Sequence, residues 1–532
     1  MSAATWRWAD CGLQWKPSGR GLLTLYLAVV TFFSLTAVLH ADIAANQVLV
    51  VYNSAAAEAA TLKDAYLAAH PDIPAANVLD LNNSLLVTSD LTYAQFTANV
   101  RDPIRSFLLQ PGSPSPEGII AIVLIRPFPH RIQDTDLPLA GDNGNNAANE
   151  FNAGDATYAS VDAELVLLWQ NLDTGEAGGT MDSKSDNVIV NPYHTSAAAI
   201  DTFTRVNIQT SKQFINASNV AWKLGGAGAT RLTPGDMYLV CRIDGTTLAD
   251  AEASIDRAQD VHVNKALVRI LLDEYDVSTN MDLDDDCLFF SCNVFFAGDD
   301  YEEASAALLA AGWDVRYDGT FNFVSSTEET MPLIAYASYG ENHNRSGLGE
   351  NPPGNGTYID GFLFPPGAIF NTIESFNGRA LNGLGTLANQ EQAADFITAG
   401  GTFAVGHVFE PFSVFVPDNE FLFVNFLSGQ LTWAEAAYAS LPGLSWQHVV
   451  LGDPLAKAVI LNDPGLPRGD LNGDGLVDGN DIQPYLLTLL DGFSAYHAAF
   501  PTLDPVARGD FTADFKVSLD DVPGFLAALL SP

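Results

Sequence analysis

Basic side chains are scarce in this 532-residue sequence. Lys and Arg together number 24 against 64 Asp and Glu, which gives a formal net charge of −40 at pH 7. A surface this negative repels nucleic acid and anionic lipid, so we expect neither as a partner. Hydrophobic residues make up 47% of the chain, which is enough for a large core and argues against disorder. The length predicts roughly two to four domains.

Cysteine is also rare, with four residues in the chain. There is no CxxC pair, so a zinc site built from cysteines is not expected. Beyond the N-terminal Cys11, the sequence has Cys241, Cys287 and Cys292. The last two, in CLFFSC, are candidates for a disulfide. The spacing leaves open whether they are bonded, and pairing would leave an odd thiol.

Long apolar runs are absent except for one near the N-terminus. Residues 21–41, GLLTLYLAVVTFFSLTAVLHA, contain no Asp, Glu, Lys or Arg and follow a stretch with three basic residues. This pattern, ending at the small residue Ala41, predicts a secretory signal peptide over residues 1–41. The alternative is an uncleaved membrane anchor, because the run nearly reaches the roughly 20 residues that span a bilayer. Either interpretation predicts a secreted or cell-surface protein.

Apolar strand-like segments alternate with helix-like segments over residues 46–460. NQVLVVYN (46–53) and GIIAIVLIRPF (118–128) are examples of strands that are apolar on both faces. This rhythm predicts an α/β domain with a mostly parallel sheet. Residues 134–235 are rich in Gly, Asn, Asp and Thr and are expected to form a loop-rich insertion. The Pro- and Gly-rich residues 462–468 are expected to be a linker.

The C-terminal stretch GDLNGDGLVDGNDI (469–482) has acidic and amide residues at alternate positions. The spacing matches a calcium loop that begins at Asp470, with Gly475 at position 6 for the sharp turn. Side-chain oxygens at positions 1, 3, 5, 9 and 12 and the carbonyl at position 7 come from Asp470, Asn472, Asp474, Asp478, Asp481 and Leu476, respectively. The sequence therefore predicts bound Ca²⁺.

A second copy begins at Asp510, 40 residues after Asp470. Its corresponding ligands are Asp510, Thr512, Asp514, Ser518 and Asp521, with the position-7 carbonyl from Lys516. Phe515 replaces the glycine at the sharp turn, where a side chain is strained, and Thr512 is a weaker ligand. The sequence leaves open whether this second loop is filled.

Two such loops, each followed by an apolar helical pattern, resemble a dockerin domain over residues 469–532. The resemblance implies a small all-α module that folds on calcium and binds a cohesin-like protein. Dockerins often carry a Ser/Thr pair at loop positions 10 and 11, where this chain has Gly479–Asn480 and Leu519–Asp520. The alternative is a pair of helices that calcium holds together and that only caps the C-terminus.

The large domain lacks GxSxG, HExxH, a phosphate loop and GxGxxG behind a strand. The stretches YASYGENHN (336–344), IESFNGRALNG (373–383) and GTFAVGHVFEPF (401–412) resemble an uncharacterised family of exported bacterial proteins associated with exosortase-type sorting systems. That resemblance covers about residues 46–460 and implies no activity.

A more distant resemblance is to gingipain-like peptidases of the caspase-like fold. Gly452-Asp453-Pro454 is retained, but Tyr339-Gly340 stands where those peptidases have His-Gly, and Ser375 stands where they have the catalytic Cys. Tyrosine has a pKa of about 10 and is a poor base at neutral pH. A serine hydroxyl needs more activation than a thiol to act as a nucleophile. A catalytic role for Ser375 would need His343 or His407 as its base.

The structural alternatives are that Ser375 caps a turn or makes a local hydrogen bond and that His407 is a hydrogen-bonded structural histidine. We expect one pocket beyond the strand ends, where open α/β sheets bind ligands. Its lining residues would be Tyr339, Glu341, His343, Glu374 and His407. The acidic residues 282–286 are expected to be a solvated loop.

Two functions follow from the sequence. The first is an exported protein whose calcium module attaches a non-catalytic α/β domain to an assembly. The second is a secreted hydrolase, either an altered peptidase that uses Ser375 or a carbohydrate-active enzyme in polysaccharide breakdown. No carboxylate pair in the sequence stands out as the catalytic pair of a carbohydrate-active enzyme. That alternative therefore rests only on the frequent association of dockerins with such enzymes.

Overall fold

The apolar segments of the sequence form the strands of one large central sheet. The computed structural model describes residues 42–133, 158–169, 189–191, 193–194, 237–274, 301–320, 323–340, 358–374, 376–381, 392–409, 416–441, 443–444 and 447–531. The described residues of the stretch 41–532 belong to one compact unit. In these ranges, no helix is both long and apolar enough to cross a membrane.

The strands are numbered in chain order. They are β1 Val48–Tyr52, β2 Val78–Asp80, β3 Asp90–Thr92, β4 Ala121–Ile125, β5 Arg131–Gln133, β6 Tyr158–Ser160, β7 Ile189–Val190, β8 Leu239–Ile243, β9 His262–Asn264, β10 Arg269–Asp273, β11 Val315–Asp318, β12 Leu333–Ser338, β13 Ile369–Thr372, β14 Phe403–His407, β15 Gly443–Leu444, β16 His448–Leu451 and β17 Val459–Leu461.

The α-helices are Ala59–Ala69, Tyr93–Phe96, Asp102–Leu108, Val161–Val166, Leu248–Gln259, Tyr301–Ala310, Ala393–Thr398, Asn419–Leu427, Trp433–Ser440, Ile482–Ala499, Pro505–Gly509 and Val522–Leu529. A π-helical turn over Thr97–Arg101 joins the second helix to the third. Thr92, Thr247 and Thr432 each accept a hydrogen bond from the backbone of a following helix, which explains where those helices begin.

The central sheet has ten strands in the order β11–β10–β12–β13–β14–β16–β8–β4–β1–β2. Neighbouring strands are parallel except at one place, where β14 and β16 are antiparallel. The sheet therefore consists of two parallel halves that run in opposite directions. In each half the five strands follow the order second, first, third, fourth, fifth along the chain. The α/β prediction with a mostly parallel sheet is confirmed.

Both faces of the sheet are covered, because successive strand residues point to opposite faces. In the second half, Leu271, Tyr336 and Phe370 belong to an aromatic cluster on one face. Their chain neighbours belong to the larger core on the other face, where Trp433 and Phe423 also lie. This double burial explains why the strands have no polar–apolar alternation in the sequence.

Residues 462–531 form helices and loops, without a strand among those the structure describes. Their core consists of Leu471, Tyr485, Tyr496 and Phe525. The rings of Tyr485 and Phe525 stack with centroids 4.0 Å apart. Gly492, at φ 83° and ψ −179°, interrupts the helix Ile482–Ala499. We call residues 469–531 the C-terminal module.

Buried polar contacts attach the C-terminal module to the part of the chain that ends with β17, which we call the sheet domain (the described residues of 42–461). β17 pairs with β9, and the Asn264 amide donates to the Asp463 carbonyl at 2.7 Å and to the Asp504 carboxylate at 2.8 Å. The Arg508 guanidinium donates to both Asp463 oxygens, at 2.7 and 2.9 Å. The stretch 462–468 that the sequence predicts as a linker thus includes a buried aspartate at the centre of this junction.

Candidate functional site

The first calcium-type loop closes on its two terminal aspartates. The Asp470 carboxylate accepts hydrogen bonds from the backbone N–H of Gly473, at 2.7 Å, and of Gly475, at 2.9 Å. The Asp481 carboxylate accepts from Asn472 at 3.1 Å and from Asp478 at 2.8 Å. Positions 1 and 12 therefore hold the intervening backbone in a tight turn, as a loop that surrounds a hard cation requires.

The second loop follows the same path in spite of its different sequence. Asp510 accepts from the backbone N–H of Ala513 at 2.6 Å and of Phe515 at 2.8 Å, and Asp521 accepts from Thr512 at 2.8 Å. Ala513 and Phe515 have φ values of 64° and 65°. The corresponding glycines of the first loop, at positions 473 and 475, have φ values of 73° and 88°. Two residues other than glycine thus adopt the left-handed region of backbone conformation.

The second loop also brings three carboxylates together. Oxygens of Asp510, Asp514 and Asp521 lie within 4.8 Å of one another, and no other group of three acidic, His or Cys side chains this close is found among the described residues. Burial raises the pKa of Asp510, and the nearby charge of Asp521 raises it further, while hydrogen bonds from loop amides oppose the rise. A divalent cation at this point would relieve the repulsion between the carboxylates.

Lys516 is the one basic side chain in the second loop. Its ammonium lies 3.6 Å from an Asp514 oxygen, and both side chains are exposed. An exposed pair of this kind contributes little to stability, so it is a weak competitor for a cation. Leu476, at position 7 of the first loop, donates its N–H to Asp474 at 2.9 Å.

Each repeat of the C-terminal module has exposed leucines on its surface, and we call this set of residues the leucine stripe. Leu486 and Leu490 are 44% and 73% exposed, and Leu526 and Leu530, each 40 positions later, are 50% and 84% exposed. Leu519, at position 10 of the second loop, is 74% exposed. The two repeats therefore present equivalent leucines to solvent, whereas the aromatic side chains face the module core. Exposed leucines at equivalent places in both repeats are candidates for a binding surface, because large apolar side chains on the surface can serve interaction.

Some of the candidate residues at the strand ends of the second half lie close together. Tyr339 and Gly340 follow β12, and Glu374 follows the adjacent β13. A Cβ placed on Gly340 would lie 2.2 Å from the Glu374 side chain, so glycine is required at this close approach. The buried Glu374 carboxylate accepts hydrogen bonds from Tyr358 at 2.7 Å and from Thr372 at 3.1 Å.

Other candidates lie outside the described residues: Ser375, His343, Glu341, the acidic residues 282–286, Cys287 and Cys292. Cys241 is described, is buried and has no disulfide partner.

His407 ends β14 and is fully buried. Its Nδ1 lies 3.3 Å from the carbonyl oxygen of Glu374, and its Nε2 has no hydrogen-bond partner among the described residues. Burial lowers the pKa of His407 to about 4 and that of His448, its antiparallel partner on β16, to about 3. Both imidazoles are therefore neutral at pH 7, and His407 can accept a proton at Nε2.

Two buried polar clusters had no clear signal in the sequence. Asp453, in the Gly-Asp-Pro stretch, bonds to Tyr66 at 3.1 Å and to His70 at 2.6 Å, which ties the helix Ala59–Ala69 to the end of β16. Arg242, on β8, is fully buried and its Nε donates to Asp162 at 2.8 Å. An arginine within an apolar strand is the only hint of this ion pair in the sequence, because Asp162 lies 80 residues away.

A scan against protein-family models found no match, and neither the curated proteins nor the solved structures contained one. Functional inference for this chain therefore depends on its own loops, contacts and surfaces.

Proposed function

We propose that residues 469–532 are a dockerin-like, calcium-binding all-α module that attaches a non-catalytic α/β domain to an extracellular assembly. The observation that carries this proposal is the shared loop path. Both loops close on aspartates at positions 1 and 12 and adopt a left-handed backbone at positions 4 and 6. Calcium supplies the charge that balances the converging carboxylates, and the loop oxygens supply its hard ligands.

The partner of this module is a cohesin-like protein that binds the exposed leucine stripe. Because the two repeats present equivalent leucines, one partner surface can dock on either repeat. Positions 10 and 11 are exposed in both loops, but the Ser/Thr pair usual in dockerins is replaced by Gly479–Asn480 and Leu519–Asp520. We expect an apolar counterpart on the partner at these places. Export depends on the signal peptide proposed for residues 1–41.

We propose a caspase-like or flavodoxin-like fold for the α/β domain. The second–first–third–fourth–fifth strand order of each half supports the flavodoxin-like description. Tyr339-Gly340 and Glu374 lie after adjacent parallel strands, which supports the resemblance to gingipain-like peptidases in which the dyad occupies such positions.

Calcium titration of the full chain tests the module. We expect the midpoint of thermal unfolding to rise with calcium, since a ligand at about 100 times its Kd stabilises the folded state by about 2.7 kcal/mol. Asp470→Ala and Asp510→Ala should each remove part of the rise, and Asp72→Ala, at an exposed position far from the loops in sequence, should leave it unchanged. A midpoint that is indifferent to calcium contradicts the proposal.

A hydrolase is the second candidate function, and His407 is the observation that favours it. Its Nδ1 contacts the carbonyl of Glu374, the residue before Ser375, and its Nε2 has no hydrogen-bond partner among the described residues. Because burial lowers the pKa of His407 to about 4, this imidazole would be a weak base in that role. Labelling of the chain with a fluorophosphonate is the test. Covalent labelling that Ser375→Ala and His407→Ala both abolish supports the hydrolase in its peptidase form, in which Ser375 is the nucleophile. An unlabelled wild-type chain contradicts that role for Ser375. A carbohydrate-active enzyme uses carboxylates, which the probe does not label, so release of reducing sugar from polysaccharide tests that form.

A further inference from the structure

A cleft of about 350 Å³ lies at the junction of the sheet domain and the C-terminal module. One wall comes from the sheet domain and includes Leu267, which is 36% exposed, and Leu363, which is 52% exposed. Pro365 and Pro366 extend this wall, and Val506 lies on the module side. The walls are mostly apolar. This size and lining at a junction of two parts are typical of small-ligand sites.

Arg468 is the one cationic side chain of the cleft lining, and the two carboxylates of the lining are hydrogen-bonded to other groups. Asp504 accepts hydrogen bonds from the Val506 N–H at 2.9 Å and from the Asn264 amide at 2.8 Å, so its carboxylate is engaged. Asp510 is turned into its own loop, where backbone amides occupy its oxygens. Arg468 also lines the cleft, with its guanidinium 4.8 Å above the Phe511 ring. Within the described part of the chain, Arg468 has no ion-pair partner.

We propose that this junction cleft binds a small molecule with an apolar ring or branched chain and a single anionic group, which Arg468 recognises. The apolar body lies between Leu363 and Val506. The carboxylate or sulfonate end lies at the Arg468 guanidinium, which offers a fork of N–H donors to such a group. In a chain of net charge −40, an arginine without an ion-pair partner beside an apolar cleft is a local attraction for an anion.

The ligand would contact both parts of the junction and therefore hold them together. Leu267 and Leu363 belong to the sheet domain, and Arg468 and Val506 lie beyond its last strand. A ligand that binds only the docked arrangement stabilises it by an amount that grows with the logarithm of ligand concentration over Kd. This inference is independent of the cohesin-like partner, because the leucine stripe is a separate set of residues.

Two fluorescent probes test the cleft in the full, calcium-saturated chain. The first is 8-anilinonaphthalene-1-sulfonate, an apolar ring system with one sulfonate, and the second is N-phenyl-1-naphthylamine, the same ring system without charge. We expect saturable one-site binding of the sulfonate probe. The Arg468→Gln variant should weaken it about tenfold, because a charge-assisted contact is lost, and should leave the uncharged probe unaffected. Lys63→Gln, at a basic position outside the cleft lining, is the matched control for charge and should change neither.

The apolar wall is tested by filling it. Leu363→Trp, at a half-exposed position of the sheet domain, and Val506→Trp, on the module side, should each block both probes. Leu309→Trp, at an exposed position outside the cleft lining, is the control. If the sulfonate probe binds as tightly to Arg468→Gln and Leu363→Trp as to the wild type, the proposal is wrong. Loss of binding in the double variant Leu486→Ser/Leu490→Ser would assign the signal to the leucine stripe and also overturn it.

Discussion

Ala513 and Phe515 adopt a backbone conformation that their side chains disfavour. In the left-handed region a residue with a Cβ is strained by about 1–2 kcal/mol relative to glycine. The first loop avoids this strain with Gly473 and Gly475, whereas the second loop accepts it. The hydrogen bonds to Asp510 hold both residues in place. The residue types at positions 4 and 6 therefore determine how much backbone strain each loop contains.

Exchanging glycine and alanine at these positions should have opposite effects in the two loops. Ala513→Gly should raise the free energy of unfolding by roughly 0.5–1 kcal/mol, because relief of strain exceeds the added freedom of the unfolded chain. Gly475→Ala should lower it by about 1 kcal/mol through strain alone, since a Cβ at Gly475 meets no atom within 4 Å. Urea unfolding at saturating calcium measures both. Equal signs for the two variants would contradict the shared loop path.

At the scale of elements, Asp463 and Arg508 connect the last strand to the module. Asp463 accepts from Arg508 and from the backbone N–H of Asp504. Arg508 also donates to the carbonyl of Asp470, the first ligand position of loop one, at 2.7 Å. One guanidinium therefore joins the junction to the first loop. Burial acts to raise the pKa of Asp463, but hydrogen bonds and the charge of Arg508 lower it overall.

Removing one partner of this pair should loosen the junction. Arg508→Met leaves the Asp463 carboxylate buried without its counter-charge, which costs about 3–5 kcal/mol. We expect faster proteolytic cleavage within residues 462–468 and weaker calcium binding by loop one. Lys516→Met removes an exposed pair and should change stability by less than about 1 kcal/mol. Cleavage rates that match the wild type in Arg508→Met would show that the junction does not depend on this contact.

The element boundaries of the sequence prediction follow the structure well where the pattern is local. The strand-like segments 46–53 and 118–128 appear as Val48–Tyr52 and Ala121–Ile125. The small sheet β3–β5–β6 was not predicted, because its strands have three residues each and carry too short a pattern. The stretch 462–468 reads as a linker by composition, since no local signal shows that Asn264 and Arg508 would contact Asp463.

The whole molecule contains several histidines that folding keeps neutral. Burial lowers the pKa values of His130, His194, His407 and His448 to about 3, 4, 4 and 3, respectively. In the unfolded chain each would titrate near about 6.5. Because the folded pKa lies below the unfolded value, the unfolded state binds more protons between these limits. Stability is therefore complete above about pH 6.5 and is lost as the pH falls toward 4.

Acid should destabilise the chain before its carboxylates titrate. Between about pH 6.5 and 5 the free energy of unfolding should fall by up to about 1.4 kcal/mol per pH unit for each such histidine. Thermal unfolding in this range, with calcium removed by chelation, measures the slope. His448→Gln should reduce the slope by one histidine's share. A stability that is constant from pH 7 to 5 would show that these imidazoles are not held neutral.

The seam between β14 and β16 belongs only to the whole molecule. It sets the two halves of the sheet in opposite directions and places His407 against His448. Two consecutive βα patterns are equally compatible with one continuous parallel sheet, so the sequence does not choose between these arrangements. The same holds for the candidate pocket: the sequence places Tyr339, Glu374 and His407 at strand ends, but strand adjacency decides which of them meet.

The sequence by itself determined the apolar strands, the helix patterns and the spacing of the two loops, because these depend on residues within a few positions of one another. Tertiary structure alone decided the antiparallel seam, the buried Arg242–Asp162 pair, the Asn264–Asp504 contact and the junction cleft. Those features join residues as far as 240 positions apart. Their formation depends on which surfaces the packed core brings together, and local patterns of polarity do not record that choice.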